Sequence, residues 1–336
     1  MSELPELVQA LLTPEAYPSP TQRVELAQTP ISYVFLADDY VYKIKKPVYL
    51  GFLDFTTLEK RQFYCHKEIE LNRRLCPDAY LGVVPVTNDD GRICIGGGGE
   101  VTEYAVKMRR LPQEAMLDVL LAADGVTPEM VAEVAKILAG FHRKAATGGE
   151  INEIGGIDTV IQNTDENFAQ TEWSIGTIIS PETFQRIKAY TKGFLEVNAP
   201  LFRKRVAEGR IRDCHGDLHA AHICFCDNIC IYDCIEFNER FLYCDVASEV
   251  AFLAMDLDHY GRADLSDCFI DAYVEESGDG ELKQLLNFYK CYRAYVRGKV
   301  ACFQYSNPHI PAGEKEKVLG EARSYFELAE SYIEGD

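Results

Sequence analysis

The chain has 336 residues, of which 47% are hydrophobic, so it is long and apolar enough to bury a sizeable core in two lobes or domains. It carries 34 lysines and arginines against 53 aspartates and glutamates, which gives a net charge of −19. Proteins that bind the nucleic-acid backbone depend on an excess of basic side chains, so this balance argues against a nucleic-acid partner.

The sequence also predicts the compartment. No apolar run approaches the roughly 18 residues that a membrane-spanning helix needs, and residues 1–6 lack the basic start and apolar core of a signal peptide. We therefore predict a cytoplasmic protein with no membrane partner. A reducing compartment predicts in turn that most of the twelve cysteines are buried thiols.

The first elements along the chain are a short helix, a hairpin and a long helix. Residues 4–12 have the pattern of a short amphipathic helix. Residues 31–36 and 40–45 are rich in aromatic and branched side chains around an Asp-Asp turn, which predicts a β-hairpin. Residues 57–75 contain neither glycine nor proline and mix apolar with charged side chains, which predicts one long helix.

The remaining elements divide the chain into two lobes. Further strands are predicted at residues 83–86, 92–95 and 103–108, so residues 1–110 form a small α+β lobe that would bind nucleotide. Residues 111–336 are predicted to form a mainly helical lobe that carries the catalytic and substrate residues. Helical spacing of apolar residues is clearest in three segments, residues 130–144, 281–304 and 314–334.

The most informative segment is residues 215–222, His-Gly-Asp-Leu-His-Ala-Ala-His, which two short predicted strands, 223–225 and 229–232, connect to Asp233. Phosphoryl transfer needs a carboxylate at the attacking hydroxyl and further ligands for Mg²⁺ on the β- and γ-phosphates. Asp217 fits the first role and Asp233 fits the second. This spacing predicts an ATP-dependent kinase.

With these residues in place, the chain resembles the aminoglycoside phosphotransferase family of kinase-like enzymes, especially a bacterial branch of it that is often fused to a P-loop ATPase domain. The resemblance covers roughly residues 30–305. It implies a bilobal, protein-kinase-like α+β fold, with one long helix in a β-rich N-terminal lobe, a larger and mainly helical C-terminal lobe, and ATP in the cleft. It also implies that a separate ATPase domain is a possible partner.

The resemblance assigns roles to residues of the N-terminal lobe. Lys43 would hold the α- and β-phosphates, and Glu68 on the long helix would pair with it. Because side chains alternate along a strand, Lys43 and Lys45 share one face, so Lys45 remains an alternative, as does Glu70 for Glu68. A strand lysine needs such a counter-charge to stay ordered while it waits for phosphate.

Other residues would support the site. Met108 and Arg109 resemble the linker between the lobes, whose backbone groups would meet adenine. His215 would support the catalytic loop through hydrogen bonds, and Asp245 resembles an acid that braces that loop. The chain has no Gly-x-x-x-x-Gly-Lys-Ser/Thr signature, and Asp38 and Asp39 stand where a glycine-rich loop is expected. Two acids there would repel phosphate unless they turn outward.

His222 departs from the family pattern, which places an Asn five residues after the catalytic Asp. Mg²⁺ prefers oxygen ligands, whereas imidazole suits Mn²⁺ and other transition ions. Three interpretations follow: a kinase with altered metal preference, a kinase in which Glu236 supplies the missing oxygen ligand, or a nucleotide-binding protein with little transfer activity.

A rival hypothesis is a transition-metal site made of the cysteines and histidines around the active segment. No Cys-x-x-Cys pair occurs among them, and the kinase loop explains the histidines better. The candidate ligands of that rival are Cys214, His215, His219, His222, Cys224, Cys226 and Cys230.

A helix near the C-terminus concentrates positive charge in this acidic chain. Lys290, Arg293 and Arg297 recur on one side of it. Either they contact an anionic substrate or phosphate, or they pair with acids of the same lobe. The first interpretation would exclude an aminoglycoside as the substrate. Residues 256–260 are candidate walls of the acceptor pocket.

These observations predict an ATP- and metal-dependent phosphotransferase that moves the γ-phosphate to a hydroxyl of a small molecule and uses Mg²⁺ or Mn²⁺. The main alternative is a nucleotide-binding regulatory module of the pseudokinase kind. A protein kinase is less well supported, because Asp233 is followed by Cys234 and Ile235 rather than by the Phe-Gly of peptide kinases.

Overall fold

The computed structural model describes residues 4–307 and 310–333, which form a mixed set of helices and strands. The strands are β1 (Val24–Gln28), β2 (Ser32–Ala37), β3 (Tyr40–Lys45), β4 (Tyr80–Asp89), β5 (Arg92–Ile95), β6 (Glu100–Arg109), β7 (Ile211–Asp213), β8 (Ile223–Phe225), β9 (Ile229–Ile231) and β10 (Tyr243–Asp245). The helices are α1 (Glu6–Leu11), α2 (Leu58–Asn72), α3 (Leu117–Ala122), α4 (Pro128–Lys144), α5 (Gly149–Ile154), α6 (Ile157–Thr171), α7 (Pro181–Ala207), α8 (Glu239–Leu242), α9 (Val246–His259), α10 (Ala263–Ser277), α11 (Leu286–Ser306) and α12 (Ala312–Ser331).

These elements pack into two units. The first contains residues 4–119 together with residues 221–239, and the second contains the rest of the described chain. The segment that carries β8, β9 and Asp233 therefore packs with the β-rich N-terminal part. The lobes predicted in chain order, 1–110 and 111–336, stay a prediction.

The first unit is built on a six-stranded antiparallel sheet with the order β1-β2-β3-β6-β4-β5. β3 lies inside this sheet, paired with β2 on one side and with β6 on the other. A strand with neighbours on both sides has its backbone hydrogen bonds satisfied, so it holds its side chains in a fixed register. The sheet therefore gives Lys43 and Lys45 a rigid base.

Helix α2 covers one face of this sheet, against β4 and β6. It begins after Thr57, whose hydroxyl accepts a hydrogen bond from the Lys60 N–H and so satisfies one unpaired amide of the first turn. Cys65 and Ile69 of α2 pack in a core with Val106 of β6. This packing fixes the rotation of the helix and directs Glu68 inward, where it is fully buried.

The β8–β9 hairpin belongs to the same core. Ile223 pairs with Ile231 and Phe225 with Ile229, in agreement with the hairpin that the sequence predicts. A disulfide joins Cys230 of β9 to Cys76, four residues beyond the last residue of α2. The other ten cysteines are free thiols, six of them buried, so buried thiols make up half of the twelve cysteines rather than most of them.

The second unit is mainly helical. Helix α9 lies at its centre, buried along almost its whole length, and packs against α10 and α11. Helix α11 packs in turn against α12, while α4 lies against α10. The short strands β7 and β10 pair with each other just before the His-Gly-Asp segment and just before α9. In this way β7 leads into the candidate catalytic loop, and β10 leads into α9.

Most predicted elements are present, with shifted ends. The hairpin strands, α2, β5 and α4 agree with the sequence prediction within a few residues. The helix predicted for residues 314–334 corresponds to α12, and residue 334 lies outside the described residues. Among the helices that the structure describes, none combines the length and apolar character needed to cross a bilayer.

Candidate active site

The first unit brings two lysines and three carboxylates together in a lysine–carboxylate cluster, made of Lys43, Lys45, Glu68, Asp233 and Glu236. Lys43 Nζ lies 3.0 Å from Glu68 Oε1 and 2.6 Å from Asp233 Oδ1. Lys45 Nζ lies 2.7 Å from Glu68 Oε2 and forms a second ion pair with Glu236. Glu68 thus bridges both lysines, whereas Glu70 lies on the exposed side of α2.

Burial strengthens these ion pairs. The side chains of Lys45 and Glu68 are almost completely inaccessible to water, whereas that of Asp233 is 39% exposed. Burial alone would lower the pKa of Lys43, but the charges of Asp233 and Glu68 raise it well above the ordinary value for lysine. Burial would likewise raise the pKa of Glu68, yet Lys43 and Lys45 lower it. The Lys43–Glu68 pair is therefore charged at neutral pH.

Glu236 differs from the other two carboxylates of the cluster. Its burial raises its pKa, and Lys45 offsets only part of that effect. With every member charged, the cluster would hold three negative and two positive charges, which explains why one carboxylate is harder to ionise. The structure places Glu236 against Lys45, and its predicted role as a metal ligand stays a prediction.

The backbone at Asp233 has an unusual conformation. Its φ is +63°, in the left-handed region that residues with a side chain seldom adopt. Tyr80 and Asn72 hold this turn, because the N–H of Asp233 donates to Tyr80 Oη at 3.1 Å and the N–H of Cys234 donates to Asn72 Oδ1 at 2.9 Å. Strain that is held in this way is common where a side chain must point in one direction for function.

His222 lies beside Asp233 in the same unit. Its Nε2 is 3.5 Å from Asp233 Oδ2, and its ring packs near the ring of Tyr232. The two predicted metal ligands that lie on either side of the β8–β9 hairpin are therefore neighbours in space. An imidazole nitrogen and a carboxylate oxygen form a donor set that suits Mn²⁺ at least as well as Mg²⁺.

Two other expectations for the first unit concern its loops. Asp38 turns its carboxylate toward the chain, where it accepts hydrogen bonds from the N–H groups of Gln22 and Arg23. Backbone N–H groups thus hold the carboxylate of one acid of the Asp-Asp turn. Met108 and Arg109 are the last two residues of β6, with Met108 buried, and their predicted contact with adenine stays a prediction.

The second unit holds the His-Gly-Asp loop, residues 215–217, through its backbone. The N–H groups of His215 and Gly216 both donate to Glu249 Oε1 of α9, at 2.8 and 2.7 Å. Arg293 of α11 donates to the carbonyl of Gly216 at 3.2 Å. The φ of Gly216 is +86°, a conformation that favours glycine. Two helices therefore fix the backbone that presents Asp217.

Glu249 is the centre of a buried network behind this loop. His142 Nε2 lies 2.7 Å from its second oxygen, and His142 Nδ1 lies 2.7 Å from Tyr273 Oη. Burial would raise the pKa of Glu249, but the hydrogen bond with His142, the charges of His142 and His215 and the backbone bond of Gly216 lower it to about 2. Glu249 is therefore a carboxylate at any physiological pH.

The candidate catalytic base and its predicted supports are also in the second unit. Asp217 keeps 35% of its side chain exposed, and its Oδ2 lies 3.7 Å from Nε2 of the buried His219. His215 is buried, and its Nδ1 accepts a hydrogen bond from the Asp217 N–H at 3.3 Å. Asp245 pairs with Arg205 and caps α9, while Glu249 contacts the loop directly.

The three cations of α11 have different surroundings. Lys290 pairs with Asp258 at 2.9 Å, and Arg293 donates to backbone and hydroxyl oxygens as well as stacking on Phe252. Both are buried and have structural partners. Arg297 is only partly buried, and its side chain contacts Tyr325 and His219.

The surroundings of the cysteines do not favour the rival transition-metal site. Cys230 is in the disulfide with Cys76. Burial raises the pKa of Cys214 well above the ordinary thiol value and that of Cys224 to about 12. A sulfur held in a disulfide offers no thiolate, so Cys230 is not available as a metal ligand.

Sequence reasoning missed several residues of this site. Glu249, Tyr80 and Asn72 hold the two catalytic segments, yet no local pattern marks them, since their partners are 33 to 162 residues away. The only available signal was an acidic residue in the apolar stretch after Asp245, because a buried carboxylate there would need donors.

Comparison with curated proteins finds mycobacterial relatives. No protein-family model matches the chain. The uncharacterized protein Mb2027c of Mycobacterium bovis and the uncharacterized protein Rv2004c of Mycobacterium tuberculosis are each 35% identical to it over 284 residues. The match covers 84% of this chain and 55% of each relative, so the chain spans about half the length of the curated relatives it matches.

Comparison with solved structures identifies the fold. A choline/ethanolamine kinase family protein from Mesorhizobium loti has a TM-score of 0.53 at 11% identity and covers 98% of both chains. Amicoumacin kinase hAmiN, in complex with AMP-PNP, Ca²⁺ and amicoumacin, has a TM-score of 0.55 at 12% identity, with 97% of this chain and 94% of the other covered. A GDP complex of aminoglycoside 2′-phosphotransferase-IIIa has a TM-score of 0.50 at 13% identity, with 95% and 98% covered.

These neighbours are small-molecule kinases and phosphotransferases. The chain has their protein-kinase-like fold, with a β-rich N-terminal part that holds one long helix and a mainly helical C-terminal part. The predicted fold class is therefore confirmed, and so, for the fold, is the predicted resemblance to the aminoglycoside phosphotransferases.

Proposed function

We propose that the chain is an ATP-dependent phosphotransferase of the aminoglycoside phosphotransferase family and that it moves the γ-phosphate to a hydroxyl of a small molecule. The observation that carries this proposal is the pairing of Lys43 with both Glu68 and Asp233. Kinases hold the phosphate-binding lysine between a helix glutamate and a metal-binding aspartate in this way. The kinase fold and the nucleotide complexes of its neighbours support the proposal.

The proposed reaction uses Asp217 as the catalytic base. Asp217 orients the acceptor hydroxyl and takes its proton as the oxygen attacks the γ-phosphorus. A new oxygen–phosphorus bond forms, the bond between the γ-phosphorus and the bridging oxygen breaks, and ADP leaves with that electron pair. Glu249 and Arg293 hold the loop of Asp217 in place during this step. Lys43 stabilises negative charge on the phosphates.

Asp233 and His222 would hold a divalent ion, Mg²⁺ or Mn²⁺. When bound, the ion neutralises charge on the β- and γ-phosphates. The residues fit this group: the Asp233 carboxylate is part-exposed and fixed by a left-handed turn, and His222 lies beside it. The fully charged cluster has one excess negative charge, which also favours a cation. We assign Glu236 to hold Lys45, which it contacts directly.

A second candidate function is a nucleotide-binding module with little transfer activity. The observation that favours it is His222, which stands where the family pattern has a metal-binding Asn and lies 3.5 Å from Asp233. A protonated imidazole at this distance would pair with the carboxylate and compete with a metal ion. Nucleotide would then bind through Lys43 without an ordered metal.

Calorimetry of ATP binding tests the proposal. We expect the wild-type chain to bind ATP more tightly with Mg²⁺ or Mn²⁺ than without metal, and Asp233→Asn to lose that difference, because the variant removes the anionic ligand and keeps the shape. Asp217→Asn is the matched control, since it should bind ATP like the wild type. Equal binding with and without metal would favour the regulatory module, and no ATP binding under any condition would refute both functions.

A further inference from the structure

Arg297 of α11 lies near the proposed catalytic base and forms no ion pair with a carboxylate among the residues that the structure describes. Within residues 4–307 and 310–333, no carboxylate oxygen lies within 4.0 Å of its guanidinium. Nε is 3.4 Å from Tyr325 Oη, and Nη1 is 3.4 Å from His219 Nε2. Both contacts are long for hydrogen bonds, and the guanidinium lies above the Tyr325 ring, with Cζ 5.4 Å from its centre.

Arg297 and Asp217 are close neighbours. His219 Nε2 contacts both of them, at 3.7 Å from Asp217 Oδ2 and 3.4 Å from Arg297 Nη1. The guanidinium and the carboxylate are thus separated by one shared contact atom. Both side chains are partly accessible, whereas His219 and Tyr325 are buried beneath them. A small molecule that offers its hydroxyl to Asp217 would place its next functional group near Arg297.

Arg297 stays charged in these surroundings. Burial alone would lower its pKa, but Tyr325, Asp256 and Asp217 raise it above the ordinary value. Asp256 is engaged elsewhere, because it accepts a hydrogen bond from the Ala220 N–H at 2.8 Å and one from Tyr325 Oη at 3.3 Å. Nη2 of Arg297 has no acceptor among the residues that the structure describes.

The other two cations of α11, Lys290 and Arg293, differ from Arg297 in their partners. Lys290 is neutralised by Asp258, and Arg293 is engaged by the Gly216 carbonyl and by Ser248. A planar guanidinium with unused N–H groups matches a carboxylate or a phosphate, each of which accepts two parallel hydrogen bonds. It would repel a cationic acceptor.

We propose that Arg297 binds an anionic group of the phosphoryl acceptor, so that the substrate is a hydroxylated carboxylic acid or phosphate ester and not an amine. This inference rests on the proposed function for the transfer step, but the anion site itself does not require it. Arg297 is then a specificity-determining residue: it selects the acceptor by charge and holds its hydroxyl at Asp217.

The first test measures the anion site without catalysis. Inorganic phosphate is titrated into the protein and followed by the broadening of its ³¹P signal. We expect saturable binding that Arg297→Gln weakens at least tenfold and that Arg297→Lys weakens less, because the charge remains but the fork is lost. Lys299→Gln is the matched control: it removes one positive charge from the same helix, where Lys299 bonds to the amide oxygens of Asn167 and Gln170.

The outcomes of this titration are distinct. Binding that is unchanged in Arg297→Gln overturns the inference. Binding that is lost in Lys43→Met but kept in Arg297→Gln places the ion at the lysine–carboxylate cluster and overturns it as well. Phosphate binding that depends on Arg297 in a protein that does not bind ATP would leave the anion site standing and refute only the phosphotransferase function.

The second test compares acceptors of matched size. Release of ADP from ATP is measured with glycerol, glycerate, glycerol 3-phosphate and choline. We expect either glycerate or glycerol 3-phosphate to raise the rate of ADP release at least tenfold more than glycerol or choline does. Arg297→Gln should remove that preference. A preference for glycerate would identify a carboxylate as the bound group, and a preference for glycerol 3-phosphate would identify a phosphate ester. A rate that choline or glycerol raises most overturns the inference. Lys299→Gln should keep the wild-type preference, because Lys299 bonds to the amide oxygens of Asn167 and Gln170; a preference that Lys299→Gln removes as fully as Arg297→Gln does would overturn the inference.

Discussion

Two lysines that face one glutamate have different importance for stability and function. Lys43 reaches Asp233, which water can also solvate, whereas Lys45 forms the ion pair with the buried Glu236. Glu68 keeps one cation if either lysine is lost. The side chain of Lys45 is 1% exposed and that of Lys43 is 14% exposed. We therefore expect Lys45 to have the structural role and Lys43 to be the lysine that engages a ligand.

We expect Lys43→Met and Lys45→Met to separate these roles. Lys45→Met leaves a buried carboxylate without its partner and should cost about 3 to 5 kcal/mol of unfolding free energy. Lys43→Met should cost less, because Lys45 still pairs with Glu68 and water reaches Asp233, but it should lower phosphotransfer by roughly 100-fold or more, since it removes charge stabilisation at the phosphates. Urea unfolding and steady-state ADP release measure the two effects. The reverse pattern would make Lys45 the phosphate-binding lysine.

The elements that support the site explain why Asp217 is well placed. Helix α9 supplies Glu249 to the loop and α11 supplies Arg293, so two packed helices hold the backbone of His215 and Gly216. Hydrogen bonds from backbone N–H groups to a buried carboxylate are strong, and removing the carboxylate leaves those donors unpaired.

The pH dependence of stability should reveal Glu249. Its pKa is about 2 in the folded protein against an ordinary value of 4.5, so between these values the unfolded chain binds more protons. This difference in pKa stabilises the folded protein by roughly 3 kcal/mol. The full stabilisation is present when the pH is above the ordinary pKa of 4.5, and it is lost as the pH falls through about 2. Melting temperatures of wild type and Glu249→Gln should therefore converge from pH 6 to pH 2.

Glu327→Gln serves as the control for that experiment. Glu327 lies on an exposed face of α12, so this change should leave the melting curves parallel to those of the wild type. If the difference in melting temperature between wild type and Glu249→Gln stays constant with pH, Glu249 is not held as a buried carboxylate.

The sequence predicts elements well where periodicity is strong and where motifs are local. The hairpin of β2 and β3, helix α2 and the Asp217–Asp233 spacing were all predictable in this way. Helix α9 was not, because residues on all its sides are buried and no amphipathic stripe remains. Helix α7 contains Pro200 in its interior, a residue that normally signals an end.

The choice among pairs of candidate site residues needed the structure. Strand alternation put Lys43 and Lys45 on one face but could not say that both reach Glu68. In the same way, helical spacing put three basic residues on one side of α11 but could not distinguish them. Lys290 and Arg293 bind structural partners that Arg297 does not contact. Such differences depend on tertiary neighbours that lie far away in sequence.

At the scale of the whole molecule, the Cys76–Cys230 disulfide closes a long loop of the chain. The two cysteines are 154 residues apart, and a link of this length restricts the unfolded chain strongly, by about 2 to 5 kcal/mol. Both cysteines lie in the first unit, next to the end of α2 and in β9. The bond therefore ties the helix of Glu68 to the strand that leads to Asp233.

We expect a reducing agent to lower the unfolding temperature by about 5 °C or more, because the unfolded chain regains its freedom. Calorimetric scans with and without tris(2-carboxyethyl)phosphine measure this change. The double variant Cys76→Ser, Cys230→Ser is the control and should not respond to the reagent. Twelve titratable thiols in the denatured, unreduced protein, instead of ten, would contradict the bond.

The ion pairs of Lys43 and Lys45 also affect chemical labelling. Amines react with acylating reagents only after losing their proton, and the neighbouring carboxylates raise the pKa values of both lysines despite burial. Nucleotide mimics that acylate a lysine at the phosphate site would therefore modify this protein slowly at neutral pH.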